Sequence, residues 1–206
     1  MSTAAMFHVP TITQLQHRMI RRWHRTTVDN PFTGFHGLVC HQCGLNFRLW
    51  HEEDRARDPE ATDQVIANVK RTIDRLNQQR NDWIEKIDDW LTDYLAAAAI
   101  DAGSDAPMNT ETPGSVIDRL AILALRIYHL AQQCDRNDLT TDRRLVLVQK
   151  LDICRHQHAA LSQSLAELFA DILAGRKRHK KYCQFKMYND PVLNPYISRY
   201  RARRVA

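Results

Sequence analysis

The residues best suited to chemistry fall in three strings. Asn46, His51, Glu53, Asp54 and Arg57 make the first, Asp74, Asn77, Arg80 and Asn81 the second, and Asp118 with Arg119 the third. His158 stands alone further on. Carboxylates such as Glu53, Asp54, Asp74, Glu85 and Asp88 can hold Mg²⁺, which takes one or two protein carboxylates together with the phosphates of a substrate. Guanidinium groups such as Arg57, Arg80 and Arg119 match phosphate oxygens in a forked geometry. Glu53, Asp54, Arg80 and His158 are therefore the catalytic candidates. Asn46, His51, Arg57, Asp74, Asn77, Asn81, Asp118 and Arg119 are the candidates for binding a ligand. His158 interrupts an apolar line, so it reads first as a hydrogen-bonded core residue and only second as a catalytic one.

These side chains need elements to hold them, and the hydrophobic spacing supplies helices. The stretch from about His36 to Asp58 reads as one helix, stopped by Pro59. At roughly 100° per residue, Asn46, Glu53 and Arg57 lie between an edge of Leu38, Leu45, Leu49 and Ala56 and an edge of Cys43, Phe47 and Trp50. His51 and Glu52 point the opposite way. A carboxylate and a guanidinium on a packing face are costly unless they are paired. The next helix, about Gln64 to Ala98 with Asp63 as its cap, carries an apolar seam of Ile66, Val69, Ile73, Leu76, Trp83, Ile87 and Leu91 that Arg80 interrupts. An antiparallel hairpin brings the two polar sets together, and Glu53–Arg80 is the expected cross-helix pair.

Thr11 is the expected cap of a short first helix ending near Arg25. After a long loop from Asp101 to Gly114, Ser115 with Asp118 reads as a capping box for a helix reaching Cys134. The last helix begins near Thr141 and ends at Gly175, a suitable left-handed stop. The expected fold is all-α: a helical bundle of four long helices plus a short N-terminal helix and a basic C-terminal extension. The expected division is a bundle over residues 1–175 and an extension over 176–206 that packs on the bundle or trails it.

The chain of 206 residues carries a net charge of +5, unevenly placed. From Gly175 onward 10 Lys+Arg face one acid, giving +9, while the preceding 174 residues sum to −4. Arg176, Lys177, Arg178, Lys180, Lys181 and Lys186, set among Tyr182, Phe185 and Tyr188, mark that end as the candidate contact for an anionic partner. Nucleic acid would use such cations and aromatics, but no recognised binding motif accompanies them and it is not favoured. The five cysteines are odd in number and scattered, which fits free thiols in a reducing compartment. Cys40 and Cys43 would need two further ligands to hold zinc, and none follows at workable spacing, so they read as buried small residues. No apolar run approaches a membrane span and no secretory pattern opens the chain. A cytoplasmic protein is expected. Residues 1–28 hold no acid and four Arg, loosely like a transit peptide, but Ile12, Leu15, Met19 and Trp23 make an ordinary packing stripe.

Several longer strings occur together and in order: Asn46-Phe47-Arg48-Leu49-Trp50-His51-Glu52-Glu53-Asp54, Asp74-Arg75-Leu76-Asn77-Gln78-Gln79-Arg80-Asn81-Asp82, Gly114-Ser115-Val116-Ile117-Asp118-Arg119-Leu120, and Gln184-Phe185-Lys186-Met187-Tyr188-Asn189-Asp190-Pro191 followed by Asn194-Pro195. In these the chain resembles the bacterial DUF4254 family over nearly its whole length. The resemblance implies a bacterial protein from a family that often accompanies glycosyltransferase and lipopolysaccharide-type genes, and it assigns no catalytic residue. The favoured expectation is a binding or assembly protein with an anionic partner, linked to glycan or lipopolysaccharide biosynthesis and to a glycosyltransferase. The alternative is an enzyme acting on a phosphorylated or nucleotide-linked small molecule through a buried carboxylate–arginine centre, with Mg²⁺ as its cofactor.

Overall fold

The computed structural model describes residues 6–185, 187, 190 and 192–196. Five helices follow one another: α1 Val9–Trp23, α2 Gly34–Arg55, α3 Asp63–Ala97, α4 Pro113–Cys134 and α5 Thr141–Leu173. No strand occurs among the described residues, and the all-α bundle expected from the sequence is the fold observed.

Helix starts are set by residues slightly upstream of those expected. Pro10 sits in the first turn of α1, where its missing N–H removes no hydrogen bond. That helix therefore begins before Thr11, whose hydroxyl bonds the His8 ring at 2.9 Å. Thr62, not Asp63, caps α3 by accepting from Val65 N, which leaves Asp63 as a first-turn acid favoured by the helix dipole. Thr112 caps α4 by accepting from Ser115 N at 3.1 Å, with Pro113 in the first turn. Asp118 is thereby released from the capping role assigned to it with Ser115. Thr140 caps α5. Gly175 ends that helix as expected: at φ +69° it lets its own N–H reach Ile172 O at 3.0 Å and the N–H of Arg176 reach Asp171 O at 2.8 Å.

The main core gathers α1, the first half of α2, the second half of α3, α4 and the end of α5 around Ile12, Met19, Ile87, Ile117, Leu120 and Leu165. Cys40 and Cys43 are buried within it, and burial pushes the Cys40 thiol up to about 12. A smaller cluster of Leu45, Leu49, Val69, Ile73 and Leu76 joins α2 to α3. His41 stacks on Trp83 at 3.7 Å, so advancing along α2 means retreating along α3, and the two form the expected antiparallel hairpin. Beyond α5 the chain folds back. Arg178 donates its backbone N–H to Pro107 O at 3.0 Å and its Nε–H to Ala106 O at 2.7 Å, and Lys181 pairs with Asp89 at 2.6 Å.

The seam between α3 and α4 is tight at Gly114. A Cβ there would stand 2.6 Å from Ile84 O and 2.9 Å from the Asp88 carboxyl, which accepts the Gly114 N–H at 2.8 Å. Gly114→Ala must separate the helices or displace Asp88, and an overpacking cost of about 1–3 kcal/mol is expected. Urea denaturation measures it; an unchanged midpoint would show that this approach is not constrained.

Candidate functional site

Asp118, in the second turn of α4, lies at the centre of the site with its side chain 3% exposed. Arg80 of α3 grips it with both arms of its fork, Nε to Oδ1 at 2.7 Å and Nη2 to Oδ2. From α2, Asn46 Nδ2 donates to Oδ1 at 2.9 Å and Gln42 Nε2 donates to the same oxygen. Gln42 and Asn46 stand four residues apart, hence on one face of the helix. The bond to Asp118 raises the basicity of Arg80 above its ordinary value, against the opposing effect of burial. The expected Glu53–Arg80 pair is not formed. Glu53 lies near the solvent-exposed end of α2 and takes Arg57, one turn away, at 2.8 Å. A partner on the same helix satisfies Glu53, so the interhelical acid has to come from α4.

Above this buried pair opens a cleft of about 340 Å³ between α2, α3 and α4. It brings together Asn46, Glu53, Asp54, Arg57, Asn77 and Arg80 from the sequence candidates, over an apolar floor that includes Leu49, Ile122 and Leu125. Arg126 of α4 completes the lining and was missed by the sequence reading. It follows Asp118 and Ile122 at intervals of four, so helical spacing alone could have found it.

The remaining candidates lie elsewhere. Asp74 pairs with Lys70 on the exposed side of α3, and Asn81 is half-buried without lining the cleft. Arg119 pairs with Glu111 at 2.6 Å and lines a neighbouring hollow between α4 and α5 that it shares with Arg126. His158 faces His17 of α1, ring centres 5.0 Å apart, away from the cleft. Glu85 accepts the backbone N–H of Gln184, and buried Asp88 accepts Gly114, so neither joins Glu53 and Asp54 in a common carboxylate group. His51 does not point away from the bundle as expected. It packs with His24 and His129, ring centres 5.3 and 5.8 Å distant.

The basic extension uses most of its described cations on the bundle. Arg176 and Lys177 both reach Asp171, Arg178 reaches loop carbonyls, and Lys181 reaches Asp89. Lys180 lies over the Tyr182 ring. Lys186 and the arginines at 199, 201, 203 and 204 lie outside the described residues.

Fold and site together define an all-α bundle whose central helices share a buried carboxylate–guanidinium pair beneath an open polar cleft. The chain belongs to the family described as protein of unknown function (DUF4254), whose model matches residues 36–181. Every cleft residue falls inside that span. No curated protein and no solved structure matches the chain. Among the described residues no helix is long and apolar enough to cross a membrane.

Removing Asp118 leaves a guanidinium and two amides facing an apolar site. Asp118→Ala is expected to cost about 3–5 kcal/mol, whereas Glu53→Ala, which breaks an exposed pair, is expected to cost no more than about 1 kcal/mol. Equal losses in chemical denaturation would refute this ranking. A pH dependence follows from His158. Burial, and then the neighbouring His17, lower it from 6.5 to about 4, and burial followed by Arg21 lowers His17. The depressed His158 favours folding fully above the unfolded value near 6.5 and loses that contribution as pH falls towards about 4, and His17 acts in the same direction. The melting temperature should fall across this interval, and less steeply in His158→Gln. An identical slope in the variant would remove His158 as a cause.

Proposed function

We propose that the cleft between α2, α3 and α4 binds a phosphorylated small molecule. The observation that supports this best is its three guanidinium groups, of which Arg126 has no hydrogen bond or ion pair among the described residues. Arg80 spends one edge of its fork on Asp118 and keeps other N–H groups for a ligand. Arg57 stands beside it, paired only at the exposed surface. Forked donors of this kind suit phosphate oxygens better than a point charge does, and the apolar floor suits the rest of a small ligand. Asp54, which also has no ion pair among the described residues, lines the same cleft beside Glu53. These two carboxylates would receive a Mg²⁺ arriving with the phosphates.

The setting implied by the family resemblance, bacterial glycan or lipopolysaccharide biosynthesis in the cytoplasm beside a glycosyltransferase, would make the ligand a phosphorylated or nucleotide-linked sugar. Catalysis on it draws less support, because Glu53 and Asp54 both stand in contact with water. The extension is the weaker site for an anionic partner, because its cations as far as Lys181 are mostly engaged by the bundle.

Calorimetric titration of the full chain with a uridine diphosphate sugar, with and without Mg²⁺, tests the reading. Binding that weakens with salt is expected, together with a loss of about ten- to a hundredfold in Arg126→Ala at unchanged melting temperature. Identical isotherms for wild type and Arg126→Ala would overturn the assignment. Loss of binding only when residues 182–206 are deleted would move it to the extension.

A further inference from the structure

Behind Trp50, whose side chain lines the cleft, three histidines from three helices converge. His24 follows the last residue of α1, His51 lies in the closing turns of α2, and His129 in the second half of α4. One ring nitrogen from each falls within 4.8 Å of the other two. The walls are aromatic. Tyr128 stacks on His24 at 4.0 Å, Trp50 lies flat on His129 at 4.7 Å, and Phe47 packs edge-on to both His24 and His51.

A hydrogen bond fixes the direction of one of the lone pairs. His24 Nδ1 is 2.7 Å from Ile20 O. A carbonyl only accepts, so Nδ1 carries the proton and Nε2 the lone pair. That Nε2 is buried and has no hydrogen-bond partner, and the same is true of His129 Nε2. A buried nitrogen left without a partner is costly, and two of them meet in one place. His36 and His158 also hold a buried unpartnered Nε2, but neither belongs to a converging set of three. An imidazole whose Nδ1–H is held by a backbone carbonyl while Nε2 faces inward is oriented as metal-ligating histidines are.

We infer that His24, His51 and His129 form a binding site for one transition-metal ion, with Zn²⁺ the best match. Imidazole nitrogens suit Zn²⁺ and its neighbours in the first transition row and do not suit Mg²⁺ or Ca²⁺. Zn–N bonds of about 2.0–2.1 Å in a tetrahedron place the nitrogens roughly 3.3 Å apart. From separations of up to 4.8 Å, the three nitrogens would draw together by as much as about 1.5 Å on binding. Three protein ligands leave a fourth position for water or an exogenous ligand. Asp54, one turn beyond His51, acts electrostatically on both His51 and His129 and supplies a carboxylate that favours a cation there. Because Asp54 and Trp50 also line the cleft, the metal would stand one side chain's thickness from it. The inference does not depend on phosphate binding, and its test reads metal alone.

Full-length protein stripped with a chelator is titrated with Zn²⁺ by calorimetry and with Co²⁺ by visible absorption. One Zn²⁺ per chain is expected, with a rise in melting temperature through mass action and none with Mg²⁺. Co²⁺ should give visible d–d bands without a thiolate charge-transfer band, since exposed Cys183 and half-buried Cys134 and Cys154 are the competing ligands. His51→Gln and His129→Gln should each weaken Zn²⁺ binding at least about a hundredfold, the upper end of what losing an outer-shell partner alone does. Should either variant fold poorly, the wild-type Co²⁺ spectrum still decides. Absence of Zn²⁺ binding, survival of binding in both variants, or a thiolate band abolished by Cys183→Ser would each overturn the site.

Discussion

A carboxylate withdrawn from water must be met by donors on every open side, and at Asp118 those donors come from two other helices. Arg80 closes one side from α3, while Gln42 and Asn46 close another from α2. This constrains the bundle in a way its apolar seams do not. Leu45 and Leu49 against Val69, Ile73 and Leu76 would tolerate a slip of one helical turn, because leucine meets valine or isoleucine on similar terms. A slip of about 5.4 Å would carry the guanidinium or the amides out of hydrogen-bonding reach and strand a charge. Buried polar contacts of this kind add little net stability but penalise the alternatives heavily. The register of α2, α3 and α4 is thereby specified.

The same contact prepares the cleft. Arg80 is one-quarter exposed, with its inner edge held by Asp118, so the edge that faces the cleft is already oriented. Ordering a long side chain at the moment of binding opposes affinity, and here that ordering is done by folding. Arg57 and Arg126, at the rim, have no comparable anchor across helices. The cleft therefore combines one fixed guanidinium with two adjustable ones. That arrangement suits ligands sharing a phosphate but differing in what is attached to it.

Much of this was legible from spacing alone. The five helices, the hairpin of α2 with α3, the stop at Gly175 and the gathering of Asn46, Glu53, Asp54, Arg57, Asn77 and Arg80 all follow from periodicity and turn chemistry. What spacing does not supply is the partner. Arg80 stands out as a charge in an apolar seam, but proximity in sequence points to an acid on α2, and Asp118 reads as part of a cap. Thr112 and Pro113 start α4 earlier and remove that role. The histidines were less accessible still. His24, His51 and His129 are far apart in the chain, only His51 stands among the binding candidates, and only the packing of α1, α2 and α4 brings the three into contact.

A local test would have separated these cases. Glu53 has Arg57 four residues on, Asp74 has Lys70 four residues back, and Arg55 has Glu52 three back. Such charges are satisfied along their own helix and require nothing from the rest of the fold. Arg80 has Leu76, Asn77, Trp83 and Ile84 at those positions, and Asp118 has Gly114, Ser115, Ala121 and Ile122. Neither finds an opposite charge nearby, so each must find one across helices, and the two find each other. Arg126 fails the same local test, with Ile122, Leu123, His129 and Leu130 around it, yet it remains unpaired among the described residues. Its helix leaves it at the mouth of a cleft where a partner from another molecule can reach it. The difference between Arg80 and Arg126 separates a charge that serves the fold from one available to a ligand.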